Sequence, residues 1–162
     1  NNINAATAIG KYFEVIESDI KSAIENYIPA NNRSQMMQKG SNEIILDAYN
    51  ANPSSMAVAI TNFLQLGKNN KIMILGDMFE LGNESLYEHK VIVDSLATQN
   101  DALSFLIGKS FYANQVLSDN IKFFETFDAF AEFLKTIHFK ENTILIKGSR
   151  GMALERTLEF IN

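Results

Sequence analysis

The sequence predicts an α/β fold: a mostly parallel sheet with helices on both faces, preceded by two helices. Three observations predict it. Short apolar runs such as Ile44-Ile45-Leu46, Ile72-Met73-Ile74-Leu75 and Ile144-Leu145-Ile146 lack polar alternation, as strands buried on both faces do. Each run is followed by a segment with apolar residues at helical spacing. This strand-then-helix rhythm starts only after Pro29. Right-handed crossovers then gather the strand-to-helix loops 47–53, 77–82, 108–110 and 147–151 on one sheet edge, where ligands of open α/β sheets bind.

Before Pro29 the pattern is helical. Residues 5–13 place Ile9, Tyr12 and Phe13 together, and Ser18 opens a second helix carrying Ile20, Ala23, Ile24 and Tyr27. Pro29 stops it. A polar connector follows at 30–34, and a domain boundary is expected at 31–35. Short strands are expected at 35–38 and 44–47, then a helix at 55–66 that Gly67 ends as a C′ residue would. Further on come a strand at 71–76, a helix at 84–98, a strand at 103–107, a helix at 110–117 and a short edge strand at 122–124. A helix at 127–137, a strand at 143–146 and a closing helix at 152–161 complete the chain.

Composition bounds the function. With 162 residues, 46% apolar and 20% charged, the chain has material for one ordinary ordered domain. It carries 14 basic and 19 acidic residues, net charge −5, with no basic block, which argues against a nucleic-acid groove. The absence of cysteine excludes disulfides and thiolate metal sites and fits a cytoplasmic setting only weakly. No apolar run approaches the roughly 18 residues that a bilayer requires. The opening Asn1-Asn2-Ile3-Asn4 has neither an initiator Met nor a signal-peptide pattern, and the chain reads as a piece of something longer.

The motifs leave alternatives open. Asp47, Tyr49, Asn50 and Asn52 follow a buried strand, at a ligand-binding edge. Equally, Asp47 and Asn50 can form Asx-turns and Ser54 or Ser55 can cap a helix. Gly108-Lys109-Ser110 suggests a phosphate loop, but the position that pattern needs as glycine is Leu103, so it reads as a strand end and helix cap. Lys147-Gly148-Ser149-Arg150-Gly151 combines glycines, cations and a helix start, which favours an anion over a solvated turn. His89 lies on the apolar stripe of Leu86, Val93 and Leu96 and reads first as a core histidine with one satisfied hydrogen bond. Asp77 and Glu80 form either a carboxylate pair or a solvated loop.

Taken together, Asp47-Ala-Tyr-Asn-Ala-Asn-Pro-Ser-Ser-Met56, Gly76-Asp-Met-Phe-Glu-Leu-Gly82 with His89, and Lys147-Gly-Ser-Arg150 with Met152 and Glu155 resemble the motifs of the Mur ligases. The resemblance covers essentially the whole chain. It implies that residues 1–33 are the end of the family's central ATP-binding domain with its linker, and 34–162 its C-terminal Rossmann-like domain. The branch implied joins D-Ala-D-Ala to a UDP-N-acetylmuramoyl-tripeptide in cytoplasmic peptidoglycan precursor synthesis. ATP and Mg2+ serve to form an acyl phosphate, which the dipeptide amine then attacks.

The resemblance also implies roles. Arg33 matches the interdomain arginine that reaches the nucleotide phosphates. Asp47 matches the acidic residue on the ribose, with Asn50 and, less strongly, Tyr49 beside the nucleotide. Asn2 matches half of an adenine motif. Lys147, Ser149 and Arg150 face the dipeptide or acyl phosphate, and His89 belongs to the pattern on the substrate side. The phosphate loop and magnesium ligands of the family lie upstream, in central and N-terminal domains that would be partners of this segment, so the segment alone is expected to be inactive. The alternative from another class is a non-catalytic doubly wound domain holding a nucleotide or small anion.

Overall fold

The computed structural model describes residues 2–27 and 32–162. Two helices come first, α1 (Asn2–Tyr12) and α2 (Glu17–Glu25). Pro29, the expected stop of α2, and part of the expected connector lie outside the described residues. Ser18 does not cap α2. It sits inside the helix, whose N-cap is Ile16 with no side-chain cap bond.

The remainder contains strands β1 (Gln35–Lys39), β2 (Asn42–Asp47), β3 (Lys71–Gly76), β4 (Ala102–Ile107), β5 (Ile121–Phe124) and β6 (Thr143–Lys147). Interleaved with them are helices α3 (Pro53–Leu64), α4 (Ser85–Ala97), α5 (Lys109–Ala113) and α6 (Phe127–Leu134). Among the described residues the strands form one sheet in the order β1-β2-β6-β3-β4-β5. Only the β1–β2 hairpin is antiparallel; the other pairs are parallel.

Parity along each central strand explains the two cores. Met73 and Leu75 of β3 face one side with Leu106 and Leu145, against Met56, Ile60 and Phe63 of α3, Ile92, Val93 and Leu96 of α4 and Phe111 of α5. Ile72 and Ile74 face the other side with Ile44, Leu46, Ile144 and Ile146, against Phe130 and Leu134 of α6 and the C-terminal Leu154 and Ile161. Every residue of β3 and β6 is buried, so the non-alternating runs are central strands, as their composition requires. The last crossover, through α6, returns β6 between β2 and β3. This brings the carboxyl ends of β2, β6 and β3 together.

Three local expectations change. The closing segment is not an α-helix but two 3₁₀ stretches, Arg150–Met152 and Leu154–Phe160, separated by Ala153 in the left-handed region at φ 48°. Leu154 and Thr157, three apart, are both buried, and a three-residue turn puts such positions on one face. Helix α5 ends at Ala113, earlier than expected. Gly67 is not the C′ residue of α3, because the helix stops at Leu64. The Lys71 ammonium instead takes the carbonyls of Leu64 and Leu66 at 2.5 and 3.1 Å, a favourable cation at a helix C-terminus.

The N-terminus of α3 is closed by a capping box. The Asn52 side chain accepts from Ser55 N–H at 2.9 Å, Ser55 Oγ accepts from Asn52 N–H at 3.1 Å, and Pro53 occupies the first helical position. The helix thus starts at Pro53 with Asn52 as its cap, two residues before the expected start at 55, and Ser55 is the third helical residue rather than the cap.

At the end of β4, Gly108 adopts φ +129° and ψ 162°, a region essentially reserved for glycine. A Cβ there would lie 2.2 Å from the Asp77 carboxyl carbon. Gly108→Ala is therefore expected to destabilise the chain by at least about 3 kcal/mol in denaturant titration. A loss below about 1 kcal/mol would contradict the assigned backbone conformation.

Candidate functional site

Strands β2 and β6 pair with Asp47 opposite Lys147. Register partners on neighbouring parallel strands point to the same face, so the two side chains meet. Lys147 Nζ donates to Asp47 Oδ2 at 2.6 Å and to the Asn50 carbonyl at 3.2 Å. The lysine side chain is only 2% exposed and the aspartate 23%. A buried ammonium requires such a partner, since an unpaired one carries a large desolvation penalty. The second carboxylate oxygen, Oδ1, accepts from Ser34 N–H at 3.0 Å.

That bond, with Tyr49 N–H donating to the Asn32 carbonyl at 3.2 Å, fastens segment 32–34 along the loop after β2. Asn32 and Ser34 both have positive φ, 58° and 46°, which folds the segment tightly. The result sets the Arg33 guanidinium 3.7 Å over the Tyr49 ring. Stacking uses the π face of the guanidinium, and its in-plane N–H donors, which have no partner among the described residues, suit an anion. Arg33, Asp47 and Tyr49 thus share one rim. Asn50 lies on the same loop, with its side-chain oxygen accepting from Ala51 N–H at 2.8 Å, a local bond to the next residue.

The loop after β3 is pinned one N–H at a time. Asp77 N–H donates to the Ile107 carbonyl at 3.0 Å. Met78 N–H donates to His89 Nε2, and Phe79 N–H to Ser149 Oγ, at 2.9 and 2.8 Å. The Asp77 carboxylate accepts from Ser110 N–H and Phe111 N–H at 2.9 and 3.0 Å. It caps α5 and is not half of a catalytic carboxylate pair with Glu80. Capping aspartates of this kind are signalled only by tertiary proximity, 33 residues away.

Three side chains expected to face the substrate, those of His89, Ser149 and Lys147, turn inward to protein partners. His89 is fully buried, its ring edge against Phe111 at 4.6 Å between centroids. Its Nδ1 lies 2.6 Å from the Ser85 carbonyl, so Nδ1 carries the proton, while Nε2 accepts from Met78 N–H. This assigns the neutral tautomer, and the 3.5 Å approach of Nε2 to Asp77 is not a charge pair. No ring nitrogen is left for a ligand. Ser149 is buried likewise, its hydroxyl accepting from Phe79 N–H and directed to the Ala51 carbonyl at 3.5 Å. Lys147 is also committed inward, to Asp47 rather than to a dipeptide.

Arg150 alone of the 147–150 run projects outward. It is 60% exposed, with Nη1 on Glu155 Oε1 at 2.8 Å, which steadies the guanidinium and leaves further donors. Asn2 is not joined to this rim by any hydrogen bond among the described residues. It borders a groove between α1 and α2 with Ile3, Ala6, Ala23, Ile24 and Tyr27. No group of three His, Cys, Asp or Glu among the described residues converges to hold a metal. No described helix is long and apolar enough to cross a membrane.

Ser34 was missed from sequence: a backbone N–H donor has no sequence signature. The Asp47–Lys147 pair was missed as a pair, although both members were singled out.

A family model described as "Mur ligase, glutamate ligase domain" matches residues 32–150. The chain is 32% identical to the UDP-N-acetylmuramoyl-tripeptide–D-alanyl-D-alanine ligase of Buchnera aphidicola subsp. Acyrthosiphon pisum, over 98% of this chain and 35% of that protein. It is 31% identical to the ligase of the same name from Bacillus subtilis, over 98% and 36%. A crystal structure of MurF from Acinetobacter baumannii superposes with TM-score 0.82 at 31% identity, covering 98% of this chain and 36% of that one. The chain spans about a third of the length of these relatives. The matched region contains the rim built by Arg33, Asp47, Tyr49 and Arg150, and by it the chain belongs to the Mur ligase family.

Proposed function

We propose that this chain is the nucleotide-closing and dipeptide-facing part of an ATP-dependent ligase that joins D-Ala-D-Ala to a UDP-N-acetylmuramoyl-tripeptide in the cytoplasm. Residues 1–33 belong with the central ATP-binding domain and linker, and 34–162 form the C-terminal domain. The observation that carries the reading is the convergence of Arg33, Tyr49 and Asp47 on the rim that also bears Arg150, in a chain whose relatives carry that ligase's name.

The chemistry divides along the rim. Asp47, held by Lys147 and Ser34 N–H, offers its remaining lone pairs to ribose hydroxyls. Arg33 lies stacked on Tyr49, its guanidinium suited to the charge that spreads over phosphoryl oxygens during transfer. Arg150 takes a carboxylate. Closure of this domain over its neighbour excludes water from a hydrolysable acyl phosphate. Magnesium, which neutralises phosphate charge in such transfers, is held by the preceding domain, and the segment alone is inactive.

In the full-length protein, Asp47→Ala should raise the KM for ATP more than that for either peptide substrate. An unchanged ATP dependence removes the ribose role. The same substitution strands a buried ammonium, so the double variant Asp47→Ala/Lys147→Met should melt higher than Asp47→Ala alone while keeping its raised KM. Equal or lower melting would mean that Lys147 is solvated without Asp47. Arg33→Ala should act mainly on kcat, since phosphoryl charge peaks in the transition state. A loss confined to KM makes it a docking residue instead.

A further inference from the structure

We propose that Phe79 sets the side-chain preference at the C-terminal residue of the incoming dipeptide. The inference rests on the functional reading above and names a residue to which that reading gives no role. Phe79 lies in the loop after β3, three residues past Gly76, on the same rim as Arg150. A large aromatic ring is left 45% exposed there, although its backbone is among the most firmly held in the loop. Its N–H is bound by the buried Ser149 hydroxyl at 2.8 Å, and Ser149 N–H in turn donates to the Asp77 carbonyl at 3.2 Å. The next residue, Glu80, takes a left-handed backbone at φ 64°, a strained choice for a side-chain-bearing residue. That kink ends the extended run and fixes where the ring goes.

The ring goes over Gly151. A Cβ at that position would lie 2.7 Å from Phe79 Cε2 and 3.3 Å from Cδ2, so the missing side chain is what lets the aromatic lie on the turn. One residue earlier stands Arg150, braced by Glu155. An apolar wall and a fixed guanidinium are therefore adjacent on rigid backbone. In a dipeptide only the C-terminal residue carries both a free carboxylate and a side chain on one Cα. When Arg150 takes that carboxylate, the methyl of the same residue falls within reach of the Phe79 ring, and the amine at the other end stays free to attack. His89 and Ser149 serve this wall by holding its backbone, through Met78 N–H and Phe79 N–H, which is why their polar groups face inward.

The test uses the full-length enzyme with ATP, the tripeptide precursor and either D-Ala-D-Ala or D-Ala-Gly. The parent should favour D-Ala-D-Ala in kcat/KM by about fourfold or more, the worth of one methyl removed from water. Phe79→Ala should narrow that preference to within about twofold, Phe79→Leu should keep most of it, and the KM for ATP should stay within about twofold in both. Retention of the parent's preference by Phe79→Ala overturns the inference. So does a parallel rise in the KM for ATP, which would make the ring a structural support for the whole rim. A parent that uses both dipeptides equally overturns the inference and spares the functional reading. A parent that ligates neither overturns both.

Discussion

The ion pair between Lys147 and Asp47 is the constraint on which the rim depends. It joins residues 100 positions apart, at the carboxyl ends of neighbouring strands, and the lysine is almost wholly enclosed. Such a pair gains little net stability over apolar packing, because desolvating two charges offsets their attraction. Its effect is geometric. With the ammonium also on the Asn50 carbonyl, the loop after β2 is tied to β6, and with Ser34 N–H on the other carboxylate oxygen the segment bearing Arg33 is tied to both. In the reading proposed above the rim serves phosphoryl transfer, and a carboxylate whose position does not drift suits that chemistry.

A second tie works through neutral hydrogen bonds. The loop after β3 has its successive N–H groups received by β4, by His89 on α4 and by Ser149 after β6. Each acceptor comes from a different element, so the loop can shift only if several elements shift with it. Backbone donors buried at a strand end need such partners, and here the partners are polar residues that sequence reading places nearest a ligand. Arg33, Tyr49, Phe79 and Arg150 are among the residues left facing outward.

Much of the architecture is legible beforehand because burial on both faces writes itself into composition. Runs such as 72–75 and 144–146 have no solvent side and carry no polar alternation, and their central places in the sheet follow. The edge strand β5, with exposed Lys122, reads as an edge. Legibility fails where a local signal competes with a distant partner. Gly67 resembles a helix terminator, but Lys71 reaches back to the α3 carbonyls and ends the helix sooner. Residues 152–161 have helical composition, but burial of Leu154 and Thr157 at three-residue spacing draws them into 3₁₀ turns.

By itself the sequence determined the fold class, the edge on which the loops gather and the motifs that mark the family, because periodicity and turn chemistry are local properties. Which way each polar side chain points was decided only in three dimensions. Lys147, Ser149, His89 and Asp77 have the chemistry of ligand-binding groups, and all four satisfy buried partners instead. The physical reason is that a hydrogen-bonding group has no preference between a substrate and a protein atom until burial removes water from one of the two. Strand register makes that choice, since it sets Asp47 beside Lys147 across a hundred residues of intervening chain.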